Sequence, residues 1–435
     1  MVGGAHGEAS GARTRPWEDP EAMLGVDEAR RRVLAAVSPL PAVEVTLLDA
    51  PGLVLAEDVV ADADIPPFRN SAMDGYAVRA ADVASATPAA PVRLVVVAEV
   101  AAGSPAAPPL GPGQAARIMT GAPLPEGADA VVRFEETDEH EAGPRRDEVW
   151  VRGAVRRWEN VRHAGEDVRA GAVVLPRGTV LGPAAIGVLA SLNRATVPVH
   201  RRPRVGILST GDEVVDLGPP LRPGQIRNSN SYTLAALVRE AGGEPILLGV
   251  ARDRVEDIRA KLRAAPQVDF LITSGGVSIG DFDLVKHVLQ AEGEVSLWQV
   301  RIKPGKPLAF GRVGSIPLLG LPGNPVAAYV AFLQFGRPAL RAMLGRTDLS
   351  LPTLRARLLA GHENAGRRRH YVRGIVERQG DEWVARPCGL QGSGVLTSVT
   401  AANCLIVLPE SWHRAEPGTE VEVQLLPGVC PADWP

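Results

Sequence analysis

Val268-Asp269-Phe270-Leu271-Ile272-Thr273-Ser274-Gly275-Gly276-Val277-Ser278-Ile279-Gly280-Asp281-Phe282-Asp283-Leu284-Val285-Lys286-His287-Val288-Leu289 decides the fold. Val268 to Ile272 is a short apolar run that reads as a buried strand, and Leu284 to Leu289 is apolar at helical spacing. A glycine-rich turn between a strand and a helix exposes backbone N–H groups at a helix N-terminus, which suits phosphate. Gly275 and Gly276 let the backbone approach such a ligand closely. Carboxylates follow at once in Asp281 and Asp283. Beside phosphate, acids hold a divalent cation, because otherwise they would repel the ligand.

The same grammar recurs upstream. Arg204 to Ser209 is a strand ending in Thr210-Gly211-Asp212-Glu213, and Pro245 to Val250 is a strand ending in Ala251-Arg252-Asp253. Asn230 to Ala241 has helical spacing between them and stops on Gly242-Gly243. Downstream, Ile316 to Leu321 leads into Pro322-Gly323-Asn324-Pro325 and an apolar helix from Val326 to Phe335. Asn324 suits an N-cap, and Pro325 suits the first helical position, where a missing N–H costs nothing. Strands alternating with helices imply a doubly wound parallel α/β sheet. Ligands bind outside the carboxyl ends of such strands. Glu213, Asp253 and Asp283 therefore gather on one rim. A solvated loop or an N-cap explains any one of these acids; three at successive strand ends favour a metal and phosphate site.

Only four of the 47 basic residues are lysines, and two of them stand in Lys303-Pro304-Gly305-Lys306-Pro307. Lys is a compact point charge where Arg is a planar fork. Two lysines kept on a stiff turn fit a compact oxyanion or a phosphate. Arg367-Arg368-Arg369 reads first as a solvated face; with Arg373 and Gln391-Gly392-Ser393-Gly394 it is able to hold anionic parts of a ligand.

At 435 residues the chain is too long for one ordinary core. The expected order is a disordered tail at 1–20, a connecting domain at 21–60 and 156–200, an inserted β domain at 61–155, the α/β domain at 201–347 and a C-terminal β domain at 348–435. Asp27 to Val37 reads as an amphipathic helix with Ala29, Val33, Leu34 and Val37 on one face. Gly182-Pro183 opens a second short helix. Glu382 to Arg386 and Glu420 to Leu425 alternate like strands. A formal net charge of −3 gives no broad basic face for nucleic acid or an anionic membrane. No apolar run reaches the length of a membrane span. Cys388, Cys404 and Cys430 are odd in number and widely spaced, which fits neither a disulfide framework nor a cysteine zinc site. A reducing cytoplasm is the natural compartment.

Seven motifs, in order, resemble the molybdopterin molybdenumtransferase family, which includes the E domain of gephyrin. Three are Pro66-Pro67-Phe68-Arg69-Asn70-Ser71-Ala72-Met73-Asp74-Gly75-Tyr76-Ala77, Arg117-Ile118-Met119-Thr120-Gly121-Ala122-Pro123-Leu124-Pro125 and Arg162-His163-Ala164-Gly165-Glu166-Asp167. The others are the Ser209–Glu213 and Thr273–Ser278 turns, and the Lys303–Pro307 segment with Gly320–Pro325. The likeness runs from about residue 24 to the C-terminus. It implies adenylylated molybdopterin and molybdate as substrates, with molybdenum cofactor and AMP as products. It implies Mg2+, or another divalent cation such as Zn2+, on Glu213, Asp253 and Asp283. Ser209, Thr210, Gly211, Ser274, Gly275, Gly276, Ser278, Pro322 and Pro325 then face the substrate, with Arg373 and Ser393 helping to seat it and Lys303 and Lys306 attracting molybdate. Asp74 and Thr120, which alone read as ordinary turn residues, face the site from the partner subunit of a homodimer with shared sites. A contact with the adenylyltransferase that makes the substrate also follows from the likeness. That adenylyltransferase is itself an alternative reading, against which the flanking domains argue. A non-catalytic scaffold is another, against which the acids and both lysines argue. Tungstate in place of molybdate stays open, as do the preferred metal and which acid orients water.

Overall fold

The structure is a computed structural model that describes residues 23–105, 107–143, 147–265, 267–276 and 293–428. The expected tail at 1–20 and the expected helix at 284–289 lie outside the described residues. Two compact units make up the chain: Thr46–Pro51 with Glu57–Val197, and Met1–Val45 with Gly52–Ala56 and Pro198–Pro435. The larger unit opens with helix α1 (Val26–Ala35), which has Asp27 and Glu28 in its first turn and buries Val26, Ala29 and Val33. Acids at that end complement the helix dipole. Of the expected apolar face, Ala29 and Val33 are buried and Leu34 and Val37 half-buried, with Val37 beyond the end of the helix.

The smaller unit is built on five strands: β1 (Gly75–Val78), β2 (Val92–Val100), β3 (Gln114–Ile118), β4 (Ala130–Arg133) and β5 (Glu148–Val151). Their order across the sheet is β4-β1-β3-β2-β5. Only β2 and β3 run parallel; the other pairings are antiparallel. Side chains alternate between faces in a strand, and both faces here are covered. Tyr76, Val78, Leu94 and Val132 fill one side, and Ala77, Ala116, Ile118 and Val131 the other. A helix at Pro183–Ser191 starts after Gly182, as the Gly-Pro pair predicts.

The larger unit carries the α/β sheet. Its elements are β6 (Arg204–Thr210), α2 (Ser229–Glu240), β7 (Glu244–Ala251), α3 (Val255–Arg263) and β8 (Phe270–Ser274). After them come β9 (Gly293–Gln299), β10 (Ile302–Lys303), β11 (Pro307–Val313), β12 (Ile316–Leu321) and α4 (Pro325–Ala331). The sheet order is β7-β6-β8-β12-β11-β9. The first four strands are parallel, as expected, but β11 and β9 are antiparallel additions. The reason is the short turn Gly314-Ser315 between Val313 and its partner Ile316. A two-residue link closes an antiparallel hairpin and is too short for a parallel crossover.

Helices cover both faces. Val205, Ile207, Phe270 and Ile272 pack with α1, α2 and α4, while Leu208, Leu271 and Leu318 pack with Ile258 of α3. The expected helix from Val326 to Phe335 begins as predicted but widens at Phe332–Gly336 into a π-turn before α5 (Arg337–Met343). Gln334 in that turn bonds Gln424 and receives Arg30, which ties the helix to α1 and to the last strand.

The remaining strands are β13 (Thr353–Leu358), β14 (Arg369–Gln379), β15 (Glu382–Pro387), β16 (Cys404–Leu408) and β17 (Glu420–Leu425). They follow the order β14-β15-β13-β17-β16, and β16 pairs back to β14, so the sheet closes into a barrel. Closure removes exposed strand edges. β10 adds to β14 in parallel, with Ile302 beside Arg369 and Lys303 beside His370.

Candidate active site

The order of the parallel strands reverses between β6 and β8, since β7 lies on one side of β6 and β8 on the other. A crevice opens at the carboxyl ends of strands at such a switch point. Register brings the four strand ends level: Thr210 pairs with Ala251, Ser209 with Ser274, and Ser274 with Leu321. A cavity of about 680 Å³ lies here, lined by Ser209–Gly211, Glu213, Asp253 and Ser274–Gly276. Val214, Ile226–Asn230, Pro307, Pro322–Pro325 and Gly394 complete its wall.

The glycine turn is held tightly. Gly275 has φ +92°, and a Cβ there would stand 2.7 Å from the Thr210 carbonyl oxygen, so only glycine fits. Its N–H donates to Leu321 O at 3.1 Å. Thr210 Oγ1 is buried beside the turn with no hydrogen-bond partner. A buried hydroxyl without a partner costs free energy that a bound ligand would recover. Ser209 donates to Asn228 Oδ1 at 2.9 Å, and Asn228 caps α2 by accepting from Ser231 N. Asn230 donates to Ser274 Oγ at 2.7 Å and to Gly323 O at 2.8 Å. Asn230 thus fixes the β8 turn to the loop after β12. Sequence reading placed Asn230 only at the start of a helix; the polar run Asn228-Ser229-Asn230-Ser231 at a strand-end rim was the available signal. Asn324 does precede α4 in extended backbone, but its side chain makes no capping bond.

Glu213 and Asp253 reach the same rim, and Asp212 lies between them. Asp212 N donates to Asp253 Oδ2 at 3.4 Å and Asp253 N to Asp212 Oδ1 at 3.3 Å. Burial raises the Asp253 carboxyl above its ordinary value; the Asp212 N–H opposes this, and the Asp212 and Glu213 charges add to the rise. Like charges packed this way are relieved by a cation. The donors are all carboxylate oxygens, the set that hard divalent ions such as Mg2+ take. Asp283 and Ser278 lie outside the described residues. Among the described residues no three His, Cys, Asp or Glu side chains gather to hold a metal.

Lys306 and Ser393 stand next to Pro307 and Gly394 of the cavity wall, while Lys303 and Arg373 are not among the residues that line it. Ser393 O accepts from Val326 N at 3.0 Å, at the start of α4. Arg373 is fully buried, and its guanidinium donates to Ser398 Oγ, Leu390 O and Gly392 O, each at 3.2 Å. Its Nη1 has no partner. A buried cation served only by neutral groups is costly, and an anion would offset that cost. Burial lowers the Lys303 ammonium pKa, and the Arg368 and Arg373 charges push it the same way.

Asp74 and Thr120 belong to the smaller unit. There Thr120 N and Oγ1 both donate to Asp74 Oδ1, at 2.6 and 2.8 Å. The pair is a fixed, charged turn at the surface.

Three family models match successive parts of the chain. Residues 24–193 match the MoeA N-terminal region (domain I and II), 206–342 the "Probable molybdopterin binding domain", and 355–426 the MoeA C-terminal region (domain IV). The chain is 38% identical over 415 residues to the molybdopterin molybdenumtransferase of Bacillus subtilis (strain 168), spanning 95% of this chain and 96% of that one. It is 40% identical over 408 residues to molybdopterin molybdenumtransferase 2 of Mycobacterium tuberculosis (strain ATCC 25618 / H37Rv), spanning 92% and 99%. The crystal structure of the molybdopterin biosynthesis moeA protein from Pyrococcus horikoshii superposes with a TM-score of 0.79 at 35% identity, covering 93% of this chain and 99% of that one. No helix among the described residues is long and apolar enough to cross a membrane.

Proposed function

Because the chain belongs to the molybdopterin molybdenumtransferase family, we propose that its substrates are adenylylated molybdopterin and molybdate and its products molybdenum cofactor and AMP. It is a transferase of molybdenum cofactor biosynthesis. The observation that carries the finer reading is the switch-point cavity, where a left-handed glycine turn and an unpartnered Thr210 hydroxyl face two acids.

In this reading the Gly275-Gly276 turn, with Ser274 and Ser278, receives the phosphate groups through N–H and hydroxyl donors. Ser209, Thr210 and Gly211 flank them, and Pro322 and Pro325 form the opposite wall. Glu213, Asp253 and Asp283 would hold Mg2+, or another divalent cation such as Zn2+. Such an ion, when bound, supplies positive charge to the phosphoanhydride oxygens. Lys303 and Lys306 draw molybdate in as ammonium point charges, and Arg373 and Ser393 seat the anionic parts of the ligand. Asp74 and Thr120 close the site from the partner subunit of a homodimer. The adenylyltransferase that makes the substrate is the further protein partner. Cys388 and Cys404 are free and buried, which suits a reducing cytoplasm.

The test is AMP release. Purified protein given adenylylated molybdopterin and Mg2+ should release AMP only after molybdate is added. AMP release indifferent to molybdate, or ATP-dependent adenylylation of molybdopterin, would overturn the assignment.

A further inference from the structure

The β10–β14 pairing places Lys303 beside His370 in register. Paired residues of neighbouring strands present their side chains on the same face of a sheet. His370 is 1% exposed, and neither of its ring nitrogens has a hydrogen-bond partner. A neutral imidazole carries one donor and one acceptor. Leaving both unmade in the interior is costly. The ring of His362 lies 5.0 Å away, centroid to centroid. Lys303 and His362 are both half-buried, so they are the more exposed members of this group and His370 the buried one.

The group is cationic and poor in acids. Burial, then the charges of Lys303, His362, Arg373 and Arg368, hold the His370 pKa down at about 3. His362 is lowered by burial, Lys303 and Arg373, with Glu363 opposing. Glu363 itself turns towards Arg414 at 3.9 Å. Among the described residues no carboxylate bears on the titration of Lys303, Arg368 or Arg373. Cations assembled without counter-charges, around a buried ring whose N–H is unused, fit a small anion and reject a metal ion.

We propose that His370 is a binding residue for the oxyanion that Lys303 attracts, donating its imidazole N–H to one oxygen of a tetrahedral anion. The inference rests on the reading of Lys303 as the molybdate lysine and adds what selects the anion. An ammonium recognises charge at almost any angle. A buried ring fixed by its neighbours offers its N–H in one direction, so it favours an anion with an oxygen at that place.

The test uses the full-length protein and molybdate, with sulfate and tungstate as competitors. His370→Phe keeps the ring and removes the donor, while His370→Gln restores an N–H. His370→Phe should raise the molybdate Kd and the KM for molybdate roughly tenfold or more, the loss expected for one hydrogen bond to a charged group. The Kd for adenylylated molybdopterin should not move, and His370→Gln should recover part of the loss. In the wild-type protein, the histidine ring that stays neutral to the lowest pH should shift its 15N resonances when molybdate is added. That measurement decides the matter even if a variant fails to fold. Unchanged molybdate affinity in folded His370→Phe, or unmoved 15N resonances at saturating molybdate, would overturn the role of His370. If Lys303→Ala still weakens molybdate binding in that case, the reading of Lys303 survives. If Lys303→Ala has no effect either, both fall.

Discussion

Thr120 places two hydrogen bonds on a single oxygen of Asp74, one from its backbone N–H at 2.6 Å and one from its hydroxyl at 2.8 Å. These bonds, the backbone one first, hold the Asp74 carboxyl below its ordinary value against a small opposing effect of burial. Hydrogen bonds to the charged form favour that form. Thr120→Val removes the hydroxyl donor and keeps the backbone donor. The Asp74 titration, followed by carboxyl 13C resonances, should therefore move up part of the way towards 3.8. The stability linked to Asp74 is present above its unfolded pKa and is lost as pH falls through the lowered folded value. Thr120→Val should narrow that acid window. A titration identical to wild type would show that the hydroxyl contributes nothing.

The glycine turn makes a second prediction. At Gly314, φ is +58° and a Cβ would meet nothing within 4 Å, so Gly314→Ala should cost about 1 kcal/mol from left-handed strain alone. At Gly275 a Cβ would also press on the Thr210 carbonyl oxygen at 2.7 Å. Gly275→Ala should cost roughly 3 kcal/mol and abolish binding of adenylylated molybdopterin. Thermal melts and calorimetry check both. Equal costs at the two sites would mean that the turn yields freely.

Lys303 should matter for charge and should cost stability. Its folded pKa lies below the ordinary 10.5 because it is buried beside Arg368 and Arg373. Between that lowered value and 10.5 the unfolded chain binds more protons, so stability linked to Lys303 rises with pH through this window. Below the lowered value the full penalty persists. Lys303→Met should therefore raise Tm at neutral pH, flatten this pH dependence and raise the KM for molybdate. A drop in Tm with unchanged KM would assign Lys303 to structure alone.

The strand-end site was legible because it obeys local rules. Glycine at a strand end needs positive φ, and carboxylates after it need a cation or water, so Gly275, Glu213 and Asp253 stand out in the chain. The antiparallel pair β11 and β12 was not legible, because Gly314-Ser315 is a weak turn signal between runs that read equally well as parallel strands. The π-turn at Phe332–Gly336 leaves no mark on an apolar run, and the bond of its Gln334 to Gln424 joins residues far apart in sequence. The barrel closes through β16 and β14, a pairing of residues far apart in sequence. His370 was hidden for the same reason. Nothing near it in the chain announces that β10 will set Lys303 beside it.

Asp74 and the acids of the switch-point cavity lie in different compact units of the chain. In the proposed homodimer, each site takes Asp74 and Thr120 from one chain and Glu213, Asp253 and Lys303 from the other. Two variants should then complement each other. Asp74→Asn removes a charge at a surface turn, and Asp253→Asn removes one at a strand-end loop, so neither should disturb a core. Each homodimer should be inactive, because both of its sites carry the same lesion. In a heterodimer of the two, one composite site receives both lesions and the other receives neither. Two-fold symmetry then gives about half the wild-type activity per dimer. The measurement is molybdate-dependent AMP release from heterodimers isolated through two different affinity tags after dissociation and reassociation. Independent active sites within each chain predict no recovery at all, because every chain in the mixture carries a lesion. Sedimentation as a monomer at the assay concentration would overturn the shared site before any assay is run.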